Sequence, residues 1–184
     1  MFAKEVMKQS LPLLIICGLG GIITGNFLGI MINLFKEIPG LLVVIPAVIA
    51  LRGNINTALG SRLGSAYHLG IIDADNLWNA ELKQNIVGSL VLSFVISFII
   101  GILAYLSSIL LQIYPNPIVL ISIVIVAGGL SGLILAFLTI LIIYIVFKRG
   151  YDPDNITGPA LATFGDIITI FCIFVSAIII GGMA

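Results

Sequence analysis

The sequence predicts an all-α integral membrane protein: a bundle of five membrane-crossing helices, the second of them bent or broken. Three observations carry that prediction. Of 184 residues, 60% are hydrophobic and only 9% charged, whereas a soluble domain carries about 25% charged residues. The mean hydropathy is +1.28. The chain also divides into nearly charge-free stretches of about 20 or more residues, the length a helix needs to cross a ~30 Å hydrocarbon core. Eight Lys+Arg balance eight Asp+Glu, so no basic surface points to nucleic acid, and membrane lipid is the expected surrounding. The length suits a single domain over residues 1–184.

The first crossing, Leu11 to Phe35, is too long for the roughly 7 to 15 residue core of a secretory signal and lacks a small-residue cleavage pattern. The second, Ile38 to about Tyr67, contains Pro46, Arg52, Gly53, Asn54 and Asn56. It exceeds one straight crossing, hence the expected bend or break, which the membrane tolerates only where protein or a water-filled cavity covers the backbone. The third runs from Asn85 to Ile113, the fourth from Pro117 to Phe147, and the fifth from about Asn155 to Gly182. Small residues recur at helical spacing in three of them: Gly21, Gly25 and Gly29; Ser89, Ser93, Ser97 and Gly101; Gly128 and Gly132. Such ladders let helices approach closely where no hydrophobic force drives them together. Cys17 and Cys172 sit in apolar runs without CxxC spacing or a neighbouring His and read as packing residues.

Basic residues set the expected orientation. With the amino terminus inside, Lys4, Lys8, Arg62, Lys83, Lys148 and Arg149 are cytoplasmic and Lys36 alone is outside, the bias of the positive-inside rule. Five crossings then put Ala184 outside, in a multi-pass protein of the cell membrane.

Few polar residues remain at membrane depth. Asp166 lies 11 residues past Asn155, roughly 16 Å along the helix and near mid-bilayer. An acid there costs several kcal/mol unless it faces a cavity or a partner, and such acids mark ion pathways or proton relays. The bland alternative is a protonated Asp joining two helices. Gly158, Ala162 and Asp166 share one face, with Thr169 three residues on. Asn54 and Asn56 offer neutral oxygen ligands, and Gly53 a place where the helix could open. Arg52 is expected either to snorkel to the inner interface or to pair with an acid, behind the lining in both cases. Asp73-Ala74-Asp75-Asn76 reads first as turn and N-cap chemistry and second as Mg²⁺ ligands at a pore mouth, whereas for Asp152 in Asp152-Pro153-Asp154-Asn155 the two readings stand level. His68 has no second ligand nearby and reads as interfacial, as do Tyr67 and Trp78.

Two segments, Pro46 to Asn54 continuing through Ala58-Leu59-Gly60-Ser61-Arg62-Leu63, and Asp152 through Pro159 to Gly165-Asp166, resemble the transmembrane domain of MgtE-type divalent-cation transporters. The likeness is greatest to the branch with the eukaryotic magnesium carriers, which hold two tandem copies of this domain. The resemblance implies a homodimer with a pore at its interface. It implies that Asp166 holds a hydrated Mg²⁺, that Ala162 and Gly158 line the pore one and two turns before it, that Asn54 faces the pore, and that Asp152 stands at the cytoplasmic vestibule. Bacterial members usually carry Asn where this chain has Gly158, and an Asn-Gln-Ser run where it has Asn56-Thr57-Ala58-Leu59. Their cytoplasmic sensor domains and connecting helix have no counterpart in residues 1–184, so gating by those domains is not expected in this chain alone.

A divalent cation, Mg²⁺ foremost, is therefore the expected cargo, with no other cofactor and no enzymatic activity. Within that class, a Na⁺- or H⁺-coupled exchanger stands beside a passive channel. From other classes come a membrane transferase holding Mg²⁺-diphosphate on Asp73/Asp75 and Asp152/Asp154, and a purely structural membrane subunit.

Overall fold

The computed structural model describes residues 2–72, 78–149 and 153–182, and the described chain is helical throughout, without strands. Its elements are α1 (Phe2–Ile30), α2 (Ile32–Glu37), α3 (Leu41–His68), α4 (Ala80–Leu110), α5 (Pro117–Lys148) and α6 (Pro153–Gly181). Among the described residues, five stretches are long and apolar enough to cross a membrane: Leu11–Ile30, Leu41–His68, Ala80–Leu110, Pro117–Lys148 and Thr157–Gly181.

Local chemistry sets the boundaries. Asn79 caps α4, its side-chain oxygen accepting from the Leu82 N–H at 2.9 Å while its amide donates to the Ile71 carbonyl at 2.7 Å. The helix therefore starts one and a half turns before the expected Asn85. Asn116 caps α5 by accepting from the Ile118 N–H at 3.0 Å, and Pro117 occupies the first helical position, where no N–H is needed. The first crossing ends at Ile30 rather than Phe35, and the short α2 turns the chain toward α3. Gly40 makes that turn with φ of +83°, and a Cβ there would lie 2.8 Å from Ser108 Oγ, so both backbone and space require glycine.

The second crossing is not broken. The helix is continuous from Leu41 to His68 with Pro46 inside it, and the interruption falls earlier, at 38–40. Pro46 removes one backbone donor near the start of the helix, which neighbouring helices make tolerable in a membrane. Nor does Gly53 open the helix: the Thr57 hydroxyl donates to the Gly53 carbonyl at 2.7 Å.

In the bundle, α3, α5 and α6 pack on one another, α4 packs on α3 and α5, and among the described residues α1 touches only α6 and α2. The buried apolar residues form two clusters. One gathers Leu41, Val44, Val48, Ile123, Val124, Ile170 and Ile173 toward the α1–α2 turn. The other gathers Leu59, Leu63, Leu82, Ala136 and Ile143 toward the end carrying His68 and Lys148. Between them lies a buried polar layer of Arg52, Asn56, Ser93, Ser97 and Ser131.

The small-residue ladders of the third and fourth crossings meet. A Cβ on Gly101 would lie 3.2 Å from the Ile121 backbone, and one on Gly132 would lie 3.0 Å from Ser93 Oγ. The ladder of the first crossing has no partner among the described residues. Gly21, Gly25 and Gly29 have open space where a Cβ would stand, and only Gly20 of that helix meets a neighbour, Thr163.

Candidate functional site

Two antiparallel helices, α3 and α6, supply the polar groups at mid-depth. Their register is fixed where Gly60 faces Leu161 and Thr157, whose methyl carbons would lie 3.1 and 3.2 Å from a Cβ at that glycine. Counting six residues back along α3 and six or so forward along α6 brings Asn54 and Asp166 to the same depth, about 20 Å from the Leu41 end of α3. One side of α6 packs on α1, with the Cys17 Sγ–H donating to the Pro159 carbonyl at 3.5 Å. Another side packs on α3 through Thr157 and Leu161. At about 100° per residue, Gly158, Ala162 and Asp166 fall on the open face between those two sides. Ala162 is exposed, and Gly158 and Asp166 are half-buried. Asp166 has no ion pair among the described residues, and no three His, Cys, Asp or Glu gather anywhere among them.

Asn54 is exposed on α3 and lines a groove of about 470 Å³ with Ala50, Ala58 and Arg62, bounded by Leu92 and Ile96 of α4. Asn56, two residues on, faces the opposite way and is buried, with its amide nitrogen unpartnered; it cannot join Asn54 on one lining. Thr169 likewise turns inward and is buried. The structure thus brings Gly158, Ala162 and Asp166 onto one open face and sets Asn54 at the same depth on a neighbouring groove. Asp152, Asp73 and Asp75 lie outside the described residues, as do the side chains of Asp154 and Asn155.

Arg52 does not snorkel, and it meets no acid among the described residues. It is fully buried, donating from Nη1 to Ser93 Oγ at 2.7 Å and from Nη2 to the Ser93 carbonyl and Ser97 Oγ, both at 3.4 Å. The guanidinium fills the space left by two glycines of α5: a Cβ on Gly132 would stand 2.6 Å from Nη1, and one on Gly128 3.6 Å from Nη2. The serine and glycine ladders therefore form the walls of a slot for a cation behind the lining.

A second polar feature escaped the sequence reading. Thr57, Ser61, Ser65 and His68 recur at four-, four- and three-residue steps on one face of α3. With Thr157 and Gly158 of α6 they line a cleft of about 260 Å³. The periodicity was available in the sequence; what hid it was that neutral hydroxyls are common in helices. His68 itself stands edge-on to Phe147, on which Tyr67 stacks at 3.7 Å between ring centres.

Five apolar crossings around a buried polar layer, with an acid open at mid-depth, define a multi-pass integral membrane protein with an intramembrane ionisable site. The family model for the MgtE divalent cation transporters matches residues 45–176, and the chain belongs to that family. It is similar to solute carrier family 41 member 2 of Mus musculus, 30% identical over 172 residues that make up 88% of this chain and 29% of that protein. The Homo sapiens member 2 is 29% identical over the same shares. Member 3 of Rattus norvegicus is 28% identical over 89% of this chain and 36% of its own length. The chain thus spans about a third of the curated relatives it matches. The family is one of transporters rather than enzymes, which removes the transferase reading.

Proposed function

We propose that residues 1–184 act as one transport domain for divalent cations, Mg²⁺ foremost, through a pore shared by two chains. The observation that carries this reading is Asp166, half-exposed at mid-membrane depth on an open face with no ion pair among the described residues. Facing lipid, a carboxylate there would cost several kcal/mol; facing a second copy across a twofold axis, two carboxylates confront one aqueous space. Mg²⁺ keeps several of its waters and is commonly held by one or two carboxylates. In this proposal two Asp166 side chains hold the hydrated ion, Ala162 and Gly158 leave room for its water shell, Asn54 contributes a neutral oxygen near the same depth, and Asp152 collects cations at the inner mouth. Arg52 stays behind the wall, its charge spread into serine oxygens.

Uptake by the purified protein in liposomes tests the substrate: Mg²⁺ entry is expected, with Co²⁺, Mn²⁺, Zn²⁺ and Ca²⁺ each offered as competitor. No flux of any divalent ion would remove the proposal.

Two further expectations follow from the dimer and from the charge bias. Light scattering in detergent is expected to give twice the 19.5 kDa of one chain, because the unpartnered glycine ladder of α1 and the open polar face both need covering. A strict monomer that still transports would refute the shared pore. With the amino terminus inside, a Cys introduced at Ala184 is expected to react with an impermeant thiol reagent on intact cells, and one at Lys148 is not, both on a background lacking Cys17 and Cys172. The reverse labelling would invert the topology.

A further inference from the structure

We propose that the half of α6 from Asp166 to Gly181 is one side of a gate, shut in this structure, that must part from the α2–α3 junction before an ion passes between Asp166 and that end of the bundle; the proposal rests on the transport reading above. At 3.6 residues per turn, Thr169, Ile173, Ser176 and Ala177 continue the arc of α6 that carries Gly158, Ala162 and Asp166. Burial along that arc changes abruptly. Ala162 is exposed and Gly158 and Asp166 are half-buried, whereas Thr169, Ile173, Ser176 and Ala177 are all 0% exposed. Toward His68 the arc meets the cleft that Gly158 shares with Ser61 and Ser65. Toward Gly181, Ile173 and Ala177 are packed into the cluster that holds Met31, Ile38 and Val44. Within one chain, the described residues therefore leave the arc open on one side of Asp166 and sealed on the other.

Two features mark the seal as one that opens. The first is its hydroxyls. Ser131, Thr139 and Ser108, buried on α5 and α4, donate to the carbonyl four residues back at 2.6, 2.7 and 2.8 Å. Thr169 and Ser176 do not, and neither hydroxyl has a partner among the described residues. A buried hydroxyl without a partner raises the free energy of the state that buries it. Parting of the seam hydrates both, at about one and three turns from Asp166, and turns a dry apolar contact into a path with polar steps. The second feature is the loose construction of the covering end. α2 buries none of its six residues, and Gly40 turns between it and α3 with φ of +83°. A cleft of about 270 Å³, lined by Leu34, Glu37, Ile38, Ala177 and Gly181, lies between α2 and α6. Glu37 thus sets a carboxylate at the rim where the opened path ends.

Clamping the seam tests the gate by flux. On a background lacking Cys17 and Cys172, Ile38→Cys and Gly181→Cys place two thiols at a contact where a Cβ on Gly181 would lie 3.4 Å from Ile38 Cγ1, within reach of a disulfide. The reduced full chain in liposomes is expected to take up Mg²⁺ as the Cys-free parent does. Oxidation is expected to lower initial uptake about tenfold or more, and reductant to restore it. Equal uptake by oxidised and reduced protein, with the disulfide verified by mass spectrometry, would overturn the gate. A second readout does not use flux. Ser176→Cys on the same background is expected to react with a water-soluble methanethiosulfonate about tenfold or more faster than Thr139→Cys, which is equally buried but lies on α5, off this path. Equal rates, or no reaction at Ser176→Cys, would overturn the gate. Absence of Mg²⁺ uptake by both the reduced protein and its parent would instead remove the transport reading and leave the labelling to decide the gate.

Discussion

Gly128→Val is expected to lower the thermal unfolding midpoint by about 10 °C, or to prevent folded protein from accumulating at all. A Cβ at this position would run into the Ser97 hydroxyl and stand 2.7 Å from Ser97 Cβ, with Arg52 Nη2 3.6 Å away. Ser97 Cβ is anchored to its own helix, so α4 and α5 must separate. That separation pulls Ser93 and Ser97 off a guanidinium that is wholly buried and has no acid beside it among the described residues. Leaving a buried charge without its hydrogen-bond partners costs about 3–5 kcal/mol, and each kcal/mol is worth roughly 2–4 °C in a chain of this size. Gly18→Ala is the matched control, since nothing lies within 4 Å of a Cβ there. Thermal denaturation in one detergent, followed by circular dichroism, compares the two; equal midpoints would show that the Arg52 slot does not hold the bundle together.

The slot also marks where sequence reasoning stops. Charge-free length alone gives the five crossings, because the hydrocarbon core sets one length for all of them. The break in the second crossing does not follow from Pro46 and Gly53. In a membrane the backbone hydrogen bonds have no water to fall back on, so helix survives residues that interrupt it in solution. The ladders of serine and glycine were legible as close-packing faces, but which ladder meets which was not. That depends on the long side chain of Arg52, which needs small residues on two other helices at once. Asn54 and Asn56 are indistinguishable by composition and differ by about 200° around α3. Only the packing of α4 and α5 decides that Asn56 is inside and Asn54 outside. The depth of Asp166, by contrast, was legible from its position along the last crossing alone.

The same position makes Asp166→Asn the substitution with the largest expected effect on transport. Asn keeps the size and removes one charge from each chain, two from the shared site. At an outer-sphere distance of about 5 Å and an effective dielectric of about 20, each charge contributes on the order of 3 kcal/mol per unit of ion charge. Divalent uptake is therefore expected to fall about 100-fold or more. The fold is expected to survive, because Asp166 is half-buried and makes no ion pair among the described residues whose loss would destabilise the bundle. Asp154→Asn, beyond the apolar span of α6, is expected to do much less. The decisive measurement is initial Mg²⁺ uptake into liposomes holding equal amounts of wild-type and Asp166→Asn protein, each shown by light scattering to be dimeric. Near-complete loss of uptake with an intact dimer is the expected result; wild-type uptake by a correctly inserted, dimeric Asp166→Asn protein would contradict an acid-lined shared pore and leave Asp166 as a contact between helices.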